Sequence, residues 1–145
     1  MRVLGIALVV TVIDQLSKLA VQQQMALYES IPVIPGFFHI TYILNRGAAF
    51  GILEDQQWLF LVMALVLFAL YGVFRKKIPR VPRVTLGVGL LLGGTLGNAI
   101  DRTLSGAVTD FFDFRIWPVF NVADMGIVIG VLLLLWYNWT HISDK

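Results

Sequence analysis

Five aspartates stand at or near the ends of the most apolar stretches of this chain: Asp14, Asp101, Asp110, Asp113 and Asp124. FNVADMGIVIGVLLLLWY places Asp124 at the mouth of one apolar run, and DRTLSGAVTDFFDF follows another with Asp101, Asp110 and Asp113. Asn45, Asn98 and Asn121 lie in the same neighbourhoods. Two carboxylates close together beside a low-dielectric surface cannot both ionise easily, so one is pushed to hold a proton. The ionised member can then take a proton from water while the protonated one donates to a carbonyl oxygen. Such hydrolysis needs no covalent intermediate and no metal. Other chemistries are thinly supplied. There is no cysteine, Ser17 and Lys18 are neighbours rather than face-matched partners, and His39 has no evident nucleophile beside it. The two histidines, His39 and His141, lie about a hundred residues apart, a poor start for a metal site.

The elements that must position these acids are membrane spans. The 145 residues are 58% hydrophobic and 14% charged, with a mean hydropathy of +0.81. Soluble domains run at about 45–50% apolar and about 25% charged. Four apolar segments, Val3–Val21, Trp58–Phe74, Val84–Ile100 and Val122–Thr140, approach the ~20 residues that cross a bilayer. The length allows a single domain, 1–145. Arg75, Lys76, Lys77, Arg80 and Arg83 crowd the loop between the second and third spans, with no acid among them. By the positive-inside rule that loop is cytoplasmic, as are both termini, and the two acidic segments face outward. Trp136, Tyr137 and Trp139 suit an aromatic belt at the inner interface. Asp14, Gln15, Ser17 and Lys18 interrupt the first run and no A-x-A site follows, so that run is expected to remain as a helix.

Between the first two spans, IPVIPGFFHITYIL is rich in β-branched and aromatic residues and reads as one or two short strands. The fold expected is therefore an all-α membrane protein of four transmembrane helices, with a small extracytoplasmic β-sheet between helices 1 and 2. FFDFRIWPVF offers a further extended piece. Gly89, Gly93 and Gly97 recur at four-residue spacing in the third span, and Gly126 and Gly130 do so in the fourth. Such small-residue faces let helices pack closely.

Each polar group also has a plainer reading. Asp14 and Lys18 share a helix face, either as an ion pair with Lys18 snorkelling outward or with Asp14 turned inward to brace a site. GNAIDR closes the third helix, with Asn98 and Asp101 on one face and Arg102 beside Asp101. Asn121 suits an N-cap with Asp124 at N3, a relative of the capping box. Asp110 and Asp113 are an odd number apart, so in a strand they face opposite ways. NRGAAFG reads as a polar turn or re-entrant piece. What weakens the plain readings is that all these acids and amides map to the outer ends of the spans, which is the composition of an active site. A small transporter or channel subunit using intramembrane carboxylates stays open as an alternative, as does a scaffold in which the acids are caps.

DQLSK (14–18), NRGAAFG (45–51), GGTLGNAIDR (93–102), VTDFFDF (108–114) and FNVAD (120–124) occur in one order across nearly the whole chain. In this combination the sequence resembles the type II, or lipoprotein, signal peptidases. Thr109 stands where that family commonly has valine. The resemblance implies an intramembrane aspartic endopeptidase of the bacterial plasma membrane, cutting prolipoproteins just before the diacylglyceryl-modified cysteine. Asp110 and Asp124 would be the catalytic dyad. Asp14, Lys18, Asn45, Gly47, Asn98, Asp101, Arg102 and Asn121 would support it or bind substrate, with Asp101 tied to Arg102. Lipid-modified prolipoproteins and membrane lipid are the expected partners. Metal, other cofactor and nucleic acid are not expected, and the chain is expected to act as a monomer.

Overall fold

The computed structural model describes residues 2–47 and 53–142. The AAFG part of the NRGAAFG stretch, with Gly51, lies outside them. Four helices carry the chain: α1 (Arg2–Gln24), α2 (Gln57–Phe74), α3 (Pro82–Ser105) and α4 (Val122–Ile142). Each holds a segment long and apolar enough to cross a membrane. Their outer surfaces are apolar, with Leu8 and Leu16 on α1 and Leu65 and Val73 on α2 largely exposed. Inside, α1 buries Thr11, Asp14 and Lys18. A helix with leucines outside and charges inside is suited to lipid rather than water.

The centre of the bundle is α3, and glycine makes it so. A methyl group at Gly93 would stand 2.6 Å from the Ala7 carbonyl oxygen of α1, and one at Gly89 would stand 2.6 Å from the Ile6 side chain. On another face, Gly94 abuts the Ala123 carbonyl oxygen of α4, and Gly87 meets Gly130 and Leu134. So α1 and α4 press onto α3 almost backbone to backbone, at a distance only small residues allow. Helix α2 is peripheral and has Ala64 as its buried residue.

Pro82 begins α3 at a position where its missing N–H costs nothing. Gly106 ends the helix with φ of 72°, and its N–H bonds to the Arg102 carbonyl at 3.1 Å. The helix therefore runs past Ile100 to Ser105, and GNAIDR lies within it rather than closing it. Asn98, Asp101 and Arg102 are consequently held on rigid helix.

Three strands, β1 (Ser30–Ile34), β2 (Phe38–Asn45) and β3 (Val108–Asp113), form an antiparallel sheet in the order β1-β2-β3. The sheet expected between helices 1 and 2 is found there in part: β1 and β2 come from that segment, while β3 comes from the segment between α3 and α4. The physical reason is that β1 and β2 alone are a hairpin, and an isolated hairpin is marginal in water. The third strand buries Val108, Thr109, Asp110 and Phe111. A bridge between Phe112 and Phe120 closes part of its far edge.

Replacing Gly94 by Val should drive a side chain into the α4 backbone. We expect a loss of about 1–3 kcal/mol or more, read as a lower unfolding temperature in detergent. Gly72 has open space around it, so Gly72→Ala should leave stability within about 0.5 kcal/mol.

Candidate active site

The i, i+4 spacing of Asp14 and Lys18 puts both on the face of α1 that meets α3. Lys18 does not snorkel: it is 2% exposed. Its Nζ reaches Asp14 Oδ2 at 2.8 Å, Asp101 Oδ2 at 3.0 Å and Asn98 Oδ1 at 3.0 Å. Three acceptors match the three N–H donors of an ammonium group. Asp14 Oδ1 accepts the Ala123 N–H at 2.8 Å in the first turn of α4, where the helix dipole favours an anion.

Asp101 is fully engaged, and its partner differs from the expected one. It pairs with Lys18, takes a hydrogen bond from Gln15 Nε2 at 2.9 Å, and takes the Thr109 N–H at 3.0 Å. The neighbouring Arg102 turns away. Adjacent helix residues point about 100° apart, so they share no face. Arg102 donates to the Gly47 carbonyl at 3.2 Å and lies 4.2 Å from the Phe60 ring centroid, while its buried Nε has no hydrogen-bond partner among the described residues.

Two asparagines link this cluster to Asp110 and Asp124. Because an ammonium only donates, Lys18 fixes Asn98 with its oxygen inward. The Asn98 Nδ2 is thereby aimed at Asp124 Oδ1, 2.8 Å away. Asn121 is held in the same manner. Its Oδ1 accepts the Asp124 N–H at 2.9 Å, and Asp124 Oδ2 accepts the Asn121 N–H at 3.2 Å. That is the capping box read from the sequence. It leaves Asn121 Nδ2 to donate to Asp110 Oδ1 at 2.6 Å and to Asn98 Oδ1 at 3.2 Å. The cap and the site are thus one arrangement. Asn45, at the end of β2, donates to Asp110 Oδ2 at 3.0 Å, and its own oxygen is held by the Gly47 N–H at 2.9 Å.

Asp110 sits opposite Ile43 in the sheet, 1% exposed, with no cation bonded to it among the described residues. Burial, and then the negative charge of nearby Asp124, push its carboxyl up to about 7, against the pull of the Asn45 and Asn121 hydrogen bonds. Asp113, of opposite parity, is elsewhere. It bonds Thr41 at 2.7 Å and Arg115 at 3.0 Å. Burial raises its carboxyl, but those donors outweigh it and hold the group below the usual range.

The structure therefore brings together Asp14, Lys18, Asn45, Gly47, Asn98, Asp101, Arg102, Asp110, Asn121 and Asp124 in one bonded cluster. Sequence reasoning missed Gln15, which also bonds the Gly97 carbonyl at 3.1 Å, and Phe60. Gln15 lay inside DQLSK, but only helix packing reveals that it reaches α3. The Thr109 hydroxyl turns to Gln22 at 2.8 Å, away from the acids, while its backbone N–H serves Asp101.

Two stability outcomes follow. Lys18→Met leaves Asp14 and Asp101 buried without their cation, and should cost about 3–5 kcal/mol, measured by thermal unfolding in detergent. Asp110→Asn should act the other way. Folded Asp110 keeps its proton to about 7, whereas the ordinary value is 3.8. The folded state therefore binds more protons than the unfolded one between those values, and stability falls as pH rises through that window. Asp110→Asn escapes this, so its unfolding temperature should exceed that of the wild type most above pH 7, the gap narrowing as pH is lowered toward 4.

Comparison with known proteins identifies the family. The family model described as signal peptidase (SPase) II matches residues 6–140. A lipoprotein signal peptidase of Halothermothrix orenii is 48% identical over 134 residues, covering 92% of each chain. One from Pelotomaculum thermopropionicum is 51% identical over 130 residues, covering 88% of this chain and 85% of that one. A bacterial membrane enzyme solved by the in meso method at 2.3 Å resolution superposes with a TM-score of 0.91 at 36% identity, covering 99% of this chain and 90% of that one. With its four apolar helices, this is a multi-pass membrane protein. The chain belongs to the signal peptidase II family.

Proposed function

We propose that this protein is an aspartic endopeptidase that removes signal peptides from diacylglyceryl-modified bacterial prolipoproteins, cleaving before the lipidated cysteine. The relatives' name, lipoprotein signal peptidase, supplies the substrate class. The observation that carries the catalytic assignment is the interlocked Asn98–Asn121 pair. Each amide donates to a different carboxylate, Asp124 and Asp110, and the two amides bond to each other. The commitment of Asp101 to Lys18, Gln15 and Thr109 supports giving the first catalytic role to Asp110 instead.

Asp124, at the positive end of α4 and accepting two N–H groups, takes the ionised role. Asp110 carries the shared proton. Asp124 removes a proton from water as the water oxygen bonds to the scissile carbonyl carbon, and Asp110 protonates the carbonyl oxygen. When the tetrahedral intermediate collapses, the C–N bond breaks. The proton taken up by Asp124 passes to the departing amine, and Asp110 recovers its own as the new carboxyl forms. Arg102, whose Nε has no partner among the described residues, would hold a substrate backbone carbonyl. A transporter reading is not favoured, because the acids gather where helices meet the sheet and are locked into a neutralising network. By the positive-inside rule the basic loop is cytoplasmic and the dyad lies toward the outer interface. There a lipidated substrate entering sideways meets water. The enzyme is taken to act as a monomer on lipid-modified prolipoproteins within the membrane.

Cleavage of a lipidated preprolipoprotein, followed as a gel shift, tests the assignment. Asp110→Asn and Asp124→Asn should each lose about 100-fold to 10,000-fold or more in turnover. Asn caps a helix as well as Asp, so Asp124→Asn should retain its fold while losing activity. Asp101→Asn should keep measurable turnover at lowered stability. Full activity in Asp110→Asn with loss in Asp101→Asn would transfer the role. In the wild type, kcat/KM should fall as pH rises through about 7, where the Asp110 proton is lost. The two limbs of the profile belong to the pair.

A further inference from the structure

The end of the bundle away from the sheet has a separate character. Gly89 of α3 packs on Val3 and Ile6 of α1, and Gly87 packs on Gly130 and Leu134 of α4. The start of α1, the end of α2, the start of α3 and the end of α4 therefore lie together. Arg2, Arg75, Lys76, Lys77, Arg80 and Arg83 are all exposed there. Every carboxylate among the described residues belongs to the sheet half, and the ion pairs among them are all made there. This concentration of positive charge thus meets no acid from the described chain.

One of these cations is held in place. The Arg83 guanidinium lies 4.4 Å from the centroid of the Trp136 ring, across the α3–α4 seam. Stacked on an indole that is 51% exposed, the guanidinium is fixed on the flank of the bundle, with its N–H edges left to face an anion. One turn inward on the same faces stand Leu86, at i+3 from Arg83, and Leu132, at i−4 from Trp136, both exposed. The seam thus offers a fixed cation at the helix ends and an apolar strip running from it along the helices. Arg80, two residues before α3, adds a second charge. A soluble anion would use the cation and leave the strip unused. A ligand matching both has a phosphate head and long acyl chains.

We propose that Arg83, Trp136 and Arg80 hold the phosphate of an anionic glycerophospholipid whose chains lie along Leu86 and Leu132. The site is separate from the carboxylate pair, and it goes beyond the peptidase reading without depending on it. Basic pockets between membrane helices recognise such headgroups through charge, at about fivefold in affinity for each cation near the surface. The lipid would bridge α3 and α4 at the end opposite the buried acids.

The test uses the full chain in mild detergent, titrated with phosphatidylglycerol or phosphatidylcholine of identical acyl chains, with retained lipid counted by native mass spectrometry. One phosphatidylglycerol per chain should be retained in preference to phosphatidylcholine. Arg83→Gln should weaken phosphatidylglycerol about fivefold while leaving phosphatidylcholine unchanged. Arg80→Gln should act in the same direction, and Arg46→Gln, at the sheet end, should change neither. Inorganic phosphate in excess should not displace the lipid. Equal retention of the two lipids, no response to Arg83→Gln and Arg80→Gln, or an equal response to Arg46→Gln would each overturn the site. Displacement by inorganic phosphate or by a short acidic peptide would overturn the lipid assignment.

Discussion

A single buried ammonium organises the centre of this protein. Lys18 has all three donors filled, by Asp14, Asp101 and Asn98. A buried cation of this kind is tolerable only with such complete pairing, because desolvation alone costs several kcal/mol. The pairing also transmits position. Asp14 holds the first turn of α4, Asp101 holds the start of β3, and Asn98 reaches Asp124. One charge on α1 thereby sets where three other elements stand.

This arrangement depends on close approach of backbones. At Gly97 an added methyl would stand 2.5 Å from Asp14 Oδ2. The glycine exists so that the carboxylate can occupy that space. Farther along α3, Gly93 and Gly94 admit α1 and α4 in the same manner. In a membrane there is no hydrophobic force drawing helices together, so packing and buried hydrogen bonds must supply the association. The glycine faces and the polar network are therefore complementary, since close approach makes the hydrogen bonds short.

The sheet contributes what helices alone lack. It delivers Asp110 from a direction outside the bundle and sets it against Asn45 of β2 and Asn121 of α4. Burial and the negative charge of nearby Asp124 keep a proton on Asp110 at a pH where a surface aspartate would have lost it, although the two amides favour its ionised form. Asp113, only three residues away, has Arg115 and Thr41 as partners and remains an ordinary anion. Two acids of one strand are given opposite tendencies by how deeply each is buried and by its partners.

The sequence by itself determined much that depends on local pattern. Hydropathy marks the four apolar helices. The asparagine three residues before Asp124 marks the helix cap, the odd spacing of Asp110 and Asp113 separates their faces, and the ordered motifs point to the family. These follow from repeats of 3.6 and 2 residues and from capping chemistry, all of which act within a few residues. Tertiary structure decided the partners. Asp101 takes Lys18 from the other end of the sequence rather than Arg102 beside it, Lys18 turns inward rather than outward, and β3 joins the sheet from beyond α3. Those outcomes depend on how far α1 rotates and how closely it lies against α3. That depends in turn on which glycines meet which backbones, a property of two surfaces in contact that neither segment carries alone.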